Sequence, residues 1–410
     1  MNFLYTIIVF VATFFLKIAA IFSKKIKLFV DGRKQTFRKI SSLKNANTIW
    51  FHAASLGEFE QAIPIIEELK KSHKSYKILV TFFSPSGYEV RRNYKLADVV
   101  CYLPLDSKAN AQKFIATVNP TVAIFIKYEF WPNFLKELKK KEIPTILVSG
   151  IVREQQVFFK WYGGFMRKSL EAFHHFFVQN NTSKDLLESI NFTNVTIAGD
   201  TRFDRVSKIL EQDNSLGFIT EFKNNQYTIV AGSTWQEDED LLVNYINNNA
   251  SENEKFIIAP HNIKSDAILD LQKSIHKKSV LFSDKADKKL KEYQVFIIDT
   301  IGILTKIYAA ADLVYVGGGL KTGLHNILEP ATFGVPVIIG DKFDKFQEAK
   351  DLVKIGGCIS IKNQAEFNKN FIALKNDANC RSLIGNINKK YIEDNLGATN
   401  LIMEYLKDKI

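Results

Sequence analysis

Cysteine is scarce in this chain: Cys101, Cys358 and Cys380 stand far apart in 410 residues. An odd and dispersed set supplies neither a disulfide framework nor the paired spacing of a zinc site, and it suits a reducing compartment. Internal repeats and low-complexity tracts are also missing, which excludes a solenoid or a disordered linker protein. The first residues lack the marks of a cleaved secretory leader. No basic residues precede the apolar run, and no clean small-x-small site ends it.

What stands there instead is Phe3 to Phe22, apolar apart from Thr6, Thr13 and Lys17, and followed at once by Lys24, Lys25 and Lys27, then Arg33, Lys34, Arg38 and Lys39. Twenty residues just suffice to span a bilayer as a helix, and the flanking cations place the following chain on the cytoplasmic side. A retained membrane anchor is the expectation. Because Lys17 has to snorkel, a helix lying in the interface is the open alternative. The net charge of +11 points to an anionic partner without choosing among nucleic acid, phospholipid and a phosphorylated substrate. The anchor favours membrane lipids and a phosphorylated substrate over nucleic acid.

Length suits two domains, and the pattern after the anchor is α/β. Short β-branched or aromatic runs recur at Thr48–His52, Lys77–Phe82, Thr121–Ile126, Thr145–Val148 and His175–Val178, each followed by a turn or a helical pattern. A second series follows at Tyr227–Ala231, Lys255–Ala259, Val295–Asp299, Leu313–Val316 and Val335–Ile339. The expected boundaries are an anchor at 1–28, a Rossmann-like domain at 29–210, a linker at 211–226, a second Rossmann-like domain at 227–385 and a C-terminal helix at 386–410.

Candidate chemistry sits where strands end. Between Val314 and Gly340, Gly317-Gly318-Gly319 would let the backbone approach a ligand, and a helix beginning near Asn326 would aim unpaired N–H groups at it. Glu329, three residues on, could accept from a ribose diol. The same residues also describe a tight βαβ corner with Asn326 as N-cap. Ser55 and Glu58 have capping-box spacing, and Glu58 next to Gly57 is equally a candidate general base at a strand end. Ser233 and Thr234 could hold a phosphate. Asp238 and Asp240 form a DxD spacing, expected to face solvent on an opening helical turn rather than to bind metal. Pro260-His261 with Lys264, and the turn Asp299-Thr300-Ile301-Gly302-Ile303, complete the strand-end loops. Between Val157 and Phe177, aromatics interleave with Lys160, Arg167, Lys168, His174 and His175, which suits a membrane interface or an amphiphilic phosphorylated lipid. The later phenylalanines equally suit a buried aromatic face.

Taken in order, the anchor, His52-Ala53-Ala54-Ser55-Leu56-Gly57-Glu58, Glu129-Phe130-Trp131-Pro132-Asn133, Ala231-Gly232-Ser233-Thr234, Asp299-Thr300-Ile301-Gly302 and His325-Asn326-Ile327-Leu328-Glu329-Pro330 resemble the Kdo transferases. These enzymes move 3-deoxy-D-manno-octulosonic acid (Kdo) from CMP-Kdo onto a lipid A precursor. The resemblance implies a GT-B fold: two Rossmann-like domains facing a cleft, with an N-terminal membrane-anchor helix. It implies inversion at the anomeric carbon, no metal or cofactor, and a place at the inner membrane with the catalytic domains cytoplasmic. Glu58 matches the general base, and Arg202 matches a basic residue that stabilises the transition state. Lys127 stands where the family usually has glutamate, so that role has changed or moved. Ser233, Thr234, Pro260, His261, Ile301, Gly302, Ile303, Gly318, Gly319, His325, Asn326, Ile327, Leu328 and Glu329 fall to the CMP side. Ser55, Gly57, Glu129, Lys160, Arg167 and Lys168 fall to the acceptor side. Pro260 replaces a usual arginine, with Lys264 available for charge, and Leu324 replaces a usual glycine. The rivals are a UDP-sugar transferase or epimerase of the same fold, and an inactive membrane-anchored nucleotide-binding protein.

Overall fold

The computed structural model describes residues 2–410, which divide into two compact units, 2–205 with Asn395–Ile410 and Val206–Asp394. Each is built on a seven-stranded sheet in which every recorded strand pair is parallel.

The first unit contains β1 (Thr48–Ala53), β2 (Lys77–Phe82), β3 (Val99–Tyr102), β4 (Val122–Ile126), β5 (Thr145–Gly150), β6 (His175–Val178) and β7 (Val195–Ile197). Their spatial order is β3-β2-β1-β4-β5-β6-β7, so the winding reverses between β1 and β4. Strand residues alternate between two cores. Trp50, Leu79, Ala123, Phe125 and Leu147 pack on one face, and Ile49, Phe51, Val80, Ile124 and Val148 on the other. A strand covered on both sides reads as a continuous apolar run, which is why β1, β2 and β4 are plain in the sequence.

The second unit contains β8 (Tyr227–Thr234), β9 (Glu254–Pro260), β10 (Ser279–Leu281), β11 (Val295–Ile297), β12 (Leu313–Val316), β13 (Val337–Gly340) and β14 (Cys358–Ile361). The order β10-β11-β9-β8-β12-β13-β14 reverses between β8 and β12. In open parallel sheets ligands bind beyond the carboxyl ends of the strands at such reversals. The loops after β1 and β4, and after β8 and β12, are therefore the places to look for chemistry.

Two stretches differ from expectation. The segment 211–226 is not a free connector: Gly217–Lys223 is a helix that buries Ile219 and Phe222 within the second unit. The C-terminal stretch is two helices rather than one, Ala378–Asp394 in the second unit and Ala398–Leu406 in the first. Gly397, at φ +107°, breaks the run, and the Asp204 carboxylate accepts from the Gly397 and Thr399 amides and the Thr399 hydroxyl. Ile402 and Leu406 then fill the core of the first unit.

The N-terminal helix runs from Asn2 to Phe22, and Leu4–Phe22 is long and apolar enough to cross a membrane. Phe10, Ile21 and Phe22 are 75%, 78% and 84% exposed, so none of the described residues covers that side. A second helix, Lys24–Lys34, follows after the N-cap Ser23.

Candidate functional site

In the first unit, β1 ends at Ala53, and Ser55 caps the helix Leu56–Ser72. The Glu58 carboxylate reaches back into that cap. Its Oε2 accepts from the Ser55 amide at 2.7 Å and from the Ser55 hydroxyl at 2.6 Å. Tyr128, in the loop after β4, hydrogen-bonds to Glu58 as well, so the loops on both sides of the winding reversal converge on this one carboxylate. Burial, then the negative charge and hydrogen bond of Glu58, raise the Tyr128 phenol above its ordinary pKa. Glu58 is 6% exposed, a carboxylate held by these bonds in the first turn of the helix that follows β1. Gly57 beside it is exposed, with open space where a Cβ would stand.

The same helix organises Arg202. Gln61, three residues after Glu58, accepts the Thr201 hydroxyl at its carbonyl and donates from its side chain to Asp200 at 3.0 Å. Asp200 in turn receives the Arg202 guanidinium from Nε at 2.9 Å and from Nη2 at 2.8 Å. Burial works to raise the Asp200 pKa, but Arg202 and its other donors outweigh burial and hold the carboxyl below the usual range. Arg202 is thereby aimed by a buried ion pair docked on the helix that carries Glu58.

Lys127 follows β4 at φ +69°, and Ser149, next to last in β5, has φ +51°. Non-glycine residues rarely occupy the left-handed region, and such strain gathers at functional loops. Glu129 is 7% exposed and turned inward: Trp131 Nε1 donates to its Oε2 at 2.9 Å, and His52 Nε2 lies 3.2 Å from the same oxygen. His52 Nδ1 meets the Thr81 hydroxyl at 2.9 Å, and Trp50 Nε1 donates to that hydroxyl at 2.8 Å. A buried polar relay thus runs from Trp50 to Glu129, and the sequence reading did not foresee it.

Of the expected acceptor-side cations, Lys168 lines a cavity of about 450 Å³ with Lys136, Lys139, Lys140 and Phe165, whereas Lys160 and Arg167 lie outside it. The aromatic stretch divides. Phe158, Phe173, Phe176 and Phe177 are core residues, while Trp161 and Tyr162 are exposed.

In the second unit the site is built around β8 and β12. Ser233 and Thr234 belong to β8 itself, where Ser233 at φ +54° makes a bulge, and the following helix, Gln236–Asn248, is capped from Trp235. The Thr234 hydroxyl is satisfied by Glu239 at 2.9 Å and is buried. Asp238 corrects an expectation: it does not face solvent but is 1% exposed, accepting from the Trp235 amide, the Gly318 amide and the Tyr315 hydroxyl. Its carboxylate stitches the loop after β8 to the loop after β12, and burial raises its pKa. Asp240 is the exposed member of the pair.

The glycine turn is also closed by protein. A Cβ on Gly317 would stand 2.5 Å from the Ser233 carbonyl oxygen and 2.7 Å from Asp238 Oδ2, and one on Gly318, at φ +88°, would meet the Gly323 oxygen at 2.3 Å. The turn needs glycine for loop-on-loop packing rather than to leave a gap. Gly319 lies likewise against Gly340.

Beyond the turn, the short helix begins at Leu328 rather than at Asn326. The Asn326 side chain accepts from the Leu328 amide and donates to Glu329 at 3.0 Å, while the Thr305 hydroxyl donates to the other Glu329 oxygen at 2.6 Å. Glu329 therefore ties the His325–Glu329 segment to the helix that follows Ile301-Gly302-Ile303, where Ile301 is exposed and Gly302 has φ +92°. Ile327 and Leu328 bury their side chains, leaving their backbone.

Pro260 ends β9, and the His261 amide donates to the Thr234 carbonyl. The His261 ring then stacks on Trp235, with centroids 4.6 Å apart, and on His325 at 4.4 Å. Trp235 Nε1 donates to His325 Nε2 at 3.0 Å. This column joins residues expected separately through one that was not. The available signal was a tryptophan in an N-cap position, where its side chain is a poor capping group.

Two doubly wound parallel sheets, with chemistry-bearing loops at the winding reversal of each, define the class as a GT-B glycosyltransferase architecture. The fold aligns with UDP-GlcNAc 2-epimerase from Neisseria meningitidis bound to UDP-GlcNAc at a TM-score of 0.55 and 15% identity, covering 88% of this chain and 100% of that one. It aligns with Acinetobacter baumannii MurG at 0.57 and 11%, covering 88% and 99%. Residues 31–205 match the family model described as 3-deoxy-D-manno-octulosonic-acid transferase (kdotransferase). The 3-deoxy-D-manno-octulosonic acid transferase of Haemophilus influenzae is 28% identical over 375 residues, 88% of this chain and 86% of its own length. That of Aquifex aeolicus is 28% identical over 341 residues, 81% and 87%. The chain is thus similar over most of its length to Kdo transferases, which are glycosyltransferases, and its residues 31–205 carry the pattern of that family's model.

Proposed function

We propose that this protein transfers Kdo from CMP-Kdo to a phosphorylated lipid A precursor in lipopolysaccharide biosynthesis, with inversion at the anomeric carbon and Glu58 as general base. The observation that carries the reading is Glu58 itself, a nearly buried carboxylate held by Ser55 and Tyr128 at the winding reversal of the first sheet. An acceptor hydroxyl oxygen attacks the anomeric carbon, its proton passes to Glu58, and the bond to the CMP phosphate breaks with its electron pair leaving on CMP. The transition state is oxocarbenium-like, so positive charge near the departing phosphate matters more than a strong nucleophile. Arg202, held by Asp200, supplies that charge.

On the donor side, His325 offers a neutral N–H, and Glu329 and Asn326 offer polar groups to the nucleotide. The lysines around Lys168 would meet the acceptor phosphates. The exposed apolar N-terminal helix supports a position at the inner membrane, where that acceptor resides.

Incubating the full chain with CMP-Kdo generated in situ and a tetraacylated lipid A precursor in detergent tests the reading by mass spectrometry. The expected result is acceptor heavier by whole Kdo units, with CMP but not UDP protecting the protein against thermal unfolding. Protection by UDP with no Kdo product would move the assignment to a UDP-sugar enzyme of the same fold.

A further inference from the structure

The N-terminal helix does not pack flush against the protein. Its inward face, Val9, Thr13 and Leu16, recurs at helical spacing and lines a groove of about 560 Å³ whose other wall includes Phe29, Arg33 and Leu105. Tyr5 pins one end, its hydroxyl donating to Asp106 at 2.7 Å.

Arg33 is the unusual member of this groove. Gly32 lets its helix approach Tyr102 so closely that a Cβ would stand 2.2 Å from that ring. The guanidinium is thereby lodged among aromatics, 3.6 Å from the Phe29 centroid, 4.9 Å from Phe83 and 5.1 Å from Tyr102. It donates to the Phe29 and Phe83 carbonyls at 2.8 and 2.7 Å, its Nε has no acceptor, and no carboxylate among the described residues lies within ion-pair distance. Asp31, two residues away, is engaged by Lys34 at 2.7 Å. Burial pulls the guanidinium down to about 9, so it is charged at neutral pH. A charge taken out of water without a counter-ion is costly and is normally paired. Lys17 and Lys34 line the same groove, so its cationic groups sit beside a long apolar wall.

We propose that this groove holds one anionic bilayer phospholipid, its phosphate paired with Arg33 and an acyl chain laid along Val9, Thr13 and Leu16. Charge complementarity selects the anionic headgroup, and the membrane-length apolar helix forming one wall selects a bilayer lipid as the source. The site lies in the first unit and is independent of the sugar-transfer reading.

Native mass spectrometry of the full chain in mild detergent, titrated with phosphatidylglycerol and separately with phosphatidylcholine, tests it. The wild type is expected to retain one phosphatidylglycerol with at least tenfold preference. Arg33→Gln should erase the preference and Arg33→Lys should restore part of it. Thr13→Trp, which fills the groove without touching Arg33, should lower retention of both lipids and keeps the test decisive if Arg33→Gln fails to fold. Equal retention by wild type and Thr13→Trp, no headgroup preference in the wild type, or co-purification of the phosphorylated acceptor glycolipid in place of phospholipid would each overturn the proposal.

Discussion

An indole N–H can only donate, so the 3.0 Å contact from Trp235 makes His325 Nε2 an acceptor and puts the ring proton on Nδ1. Burial, with the nearby His261, pulls the His325 pKa from 6.5 down to about 4. Between pH 6.5 and 4 the unfolded chain binds more protons at this residue than the native one. Native stability from this group is complete above that window and is lost as pH falls through it. Replacing Trp235 by Phe keeps an aromatic ring but removes the donor to the neutral form, a hydrogen bond worth about 1 kcal/mol. Histidine 15N spectra should then show the proton redistributing between the ring nitrogens and the pKa rising by about one unit. A variant that keeps the wild-type tautomer and titration would show that burial alone sets the state of His325.

At the scale of elements, the two loops of the second unit are packed so closely that Gly317 has no room for a methyl group. Gly317→Ala must push the Ser233 bulge or Asp238 aside, at a cost of about 1–3 kcal/mol in thermal stability. CMP affinity by calorimetry should fall at least tenfold, and an unchanged affinity would dissociate this junction from nucleotide binding. In the first unit, Asp204 caps the returning helix Ala398–Leu406 through two amides and a hydroxyl. Asp204→Ala should destabilise that unit by about 2 kcal/mol, the upper range for a lost cap, readable in urea titration.

The sequence marks the central strands well, because residues such as Trp50 in β1 and Val80 in β2 are buried on two-sided sheets and leave unbroken apolar runs. The strands it does not mark are β3, β7, β10 and β14, each at a sheet edge and only three or four residues long. Too short for a period to register, they are specified by pairing with a neighbour. The same division holds in the candidate site. Glu58 and His325 announce themselves by local motif, whereas Asp238 resembled a surface carboxylate because Tyr315 and Gly318, which bury it, lie some eighty residues away in sequence. Trp235 acquires its role only when His261 and His325 converge on it.

At the scale of the whole molecule, the exposed apolar helix at the N-terminus predicts that the full chain stays with membranes through a high-pH carbonate wash, and release into the supernatant would argue for a peripheral association instead. The proposed reaction draws its charge stabilisation from side chains, so dialysis against EDTA should leave transfer unchanged. Loss on chelation with recovery on adding Mg²⁺ would require a metal in the mechanism. The proposed reaction turns on one carboxylate, and the direct test is Kdo transfer to the lipid A precursor by wild type and Glu58→Gln side by side, with circular dichroism confirming that both fold. A general base contributes about 10²–10⁴ in rate, so the variant should lose at least a hundredfold in turnover while CMP still binds. Equal turnover in the two proteins would contradict the account and leave Glu58 as the cap of its helix.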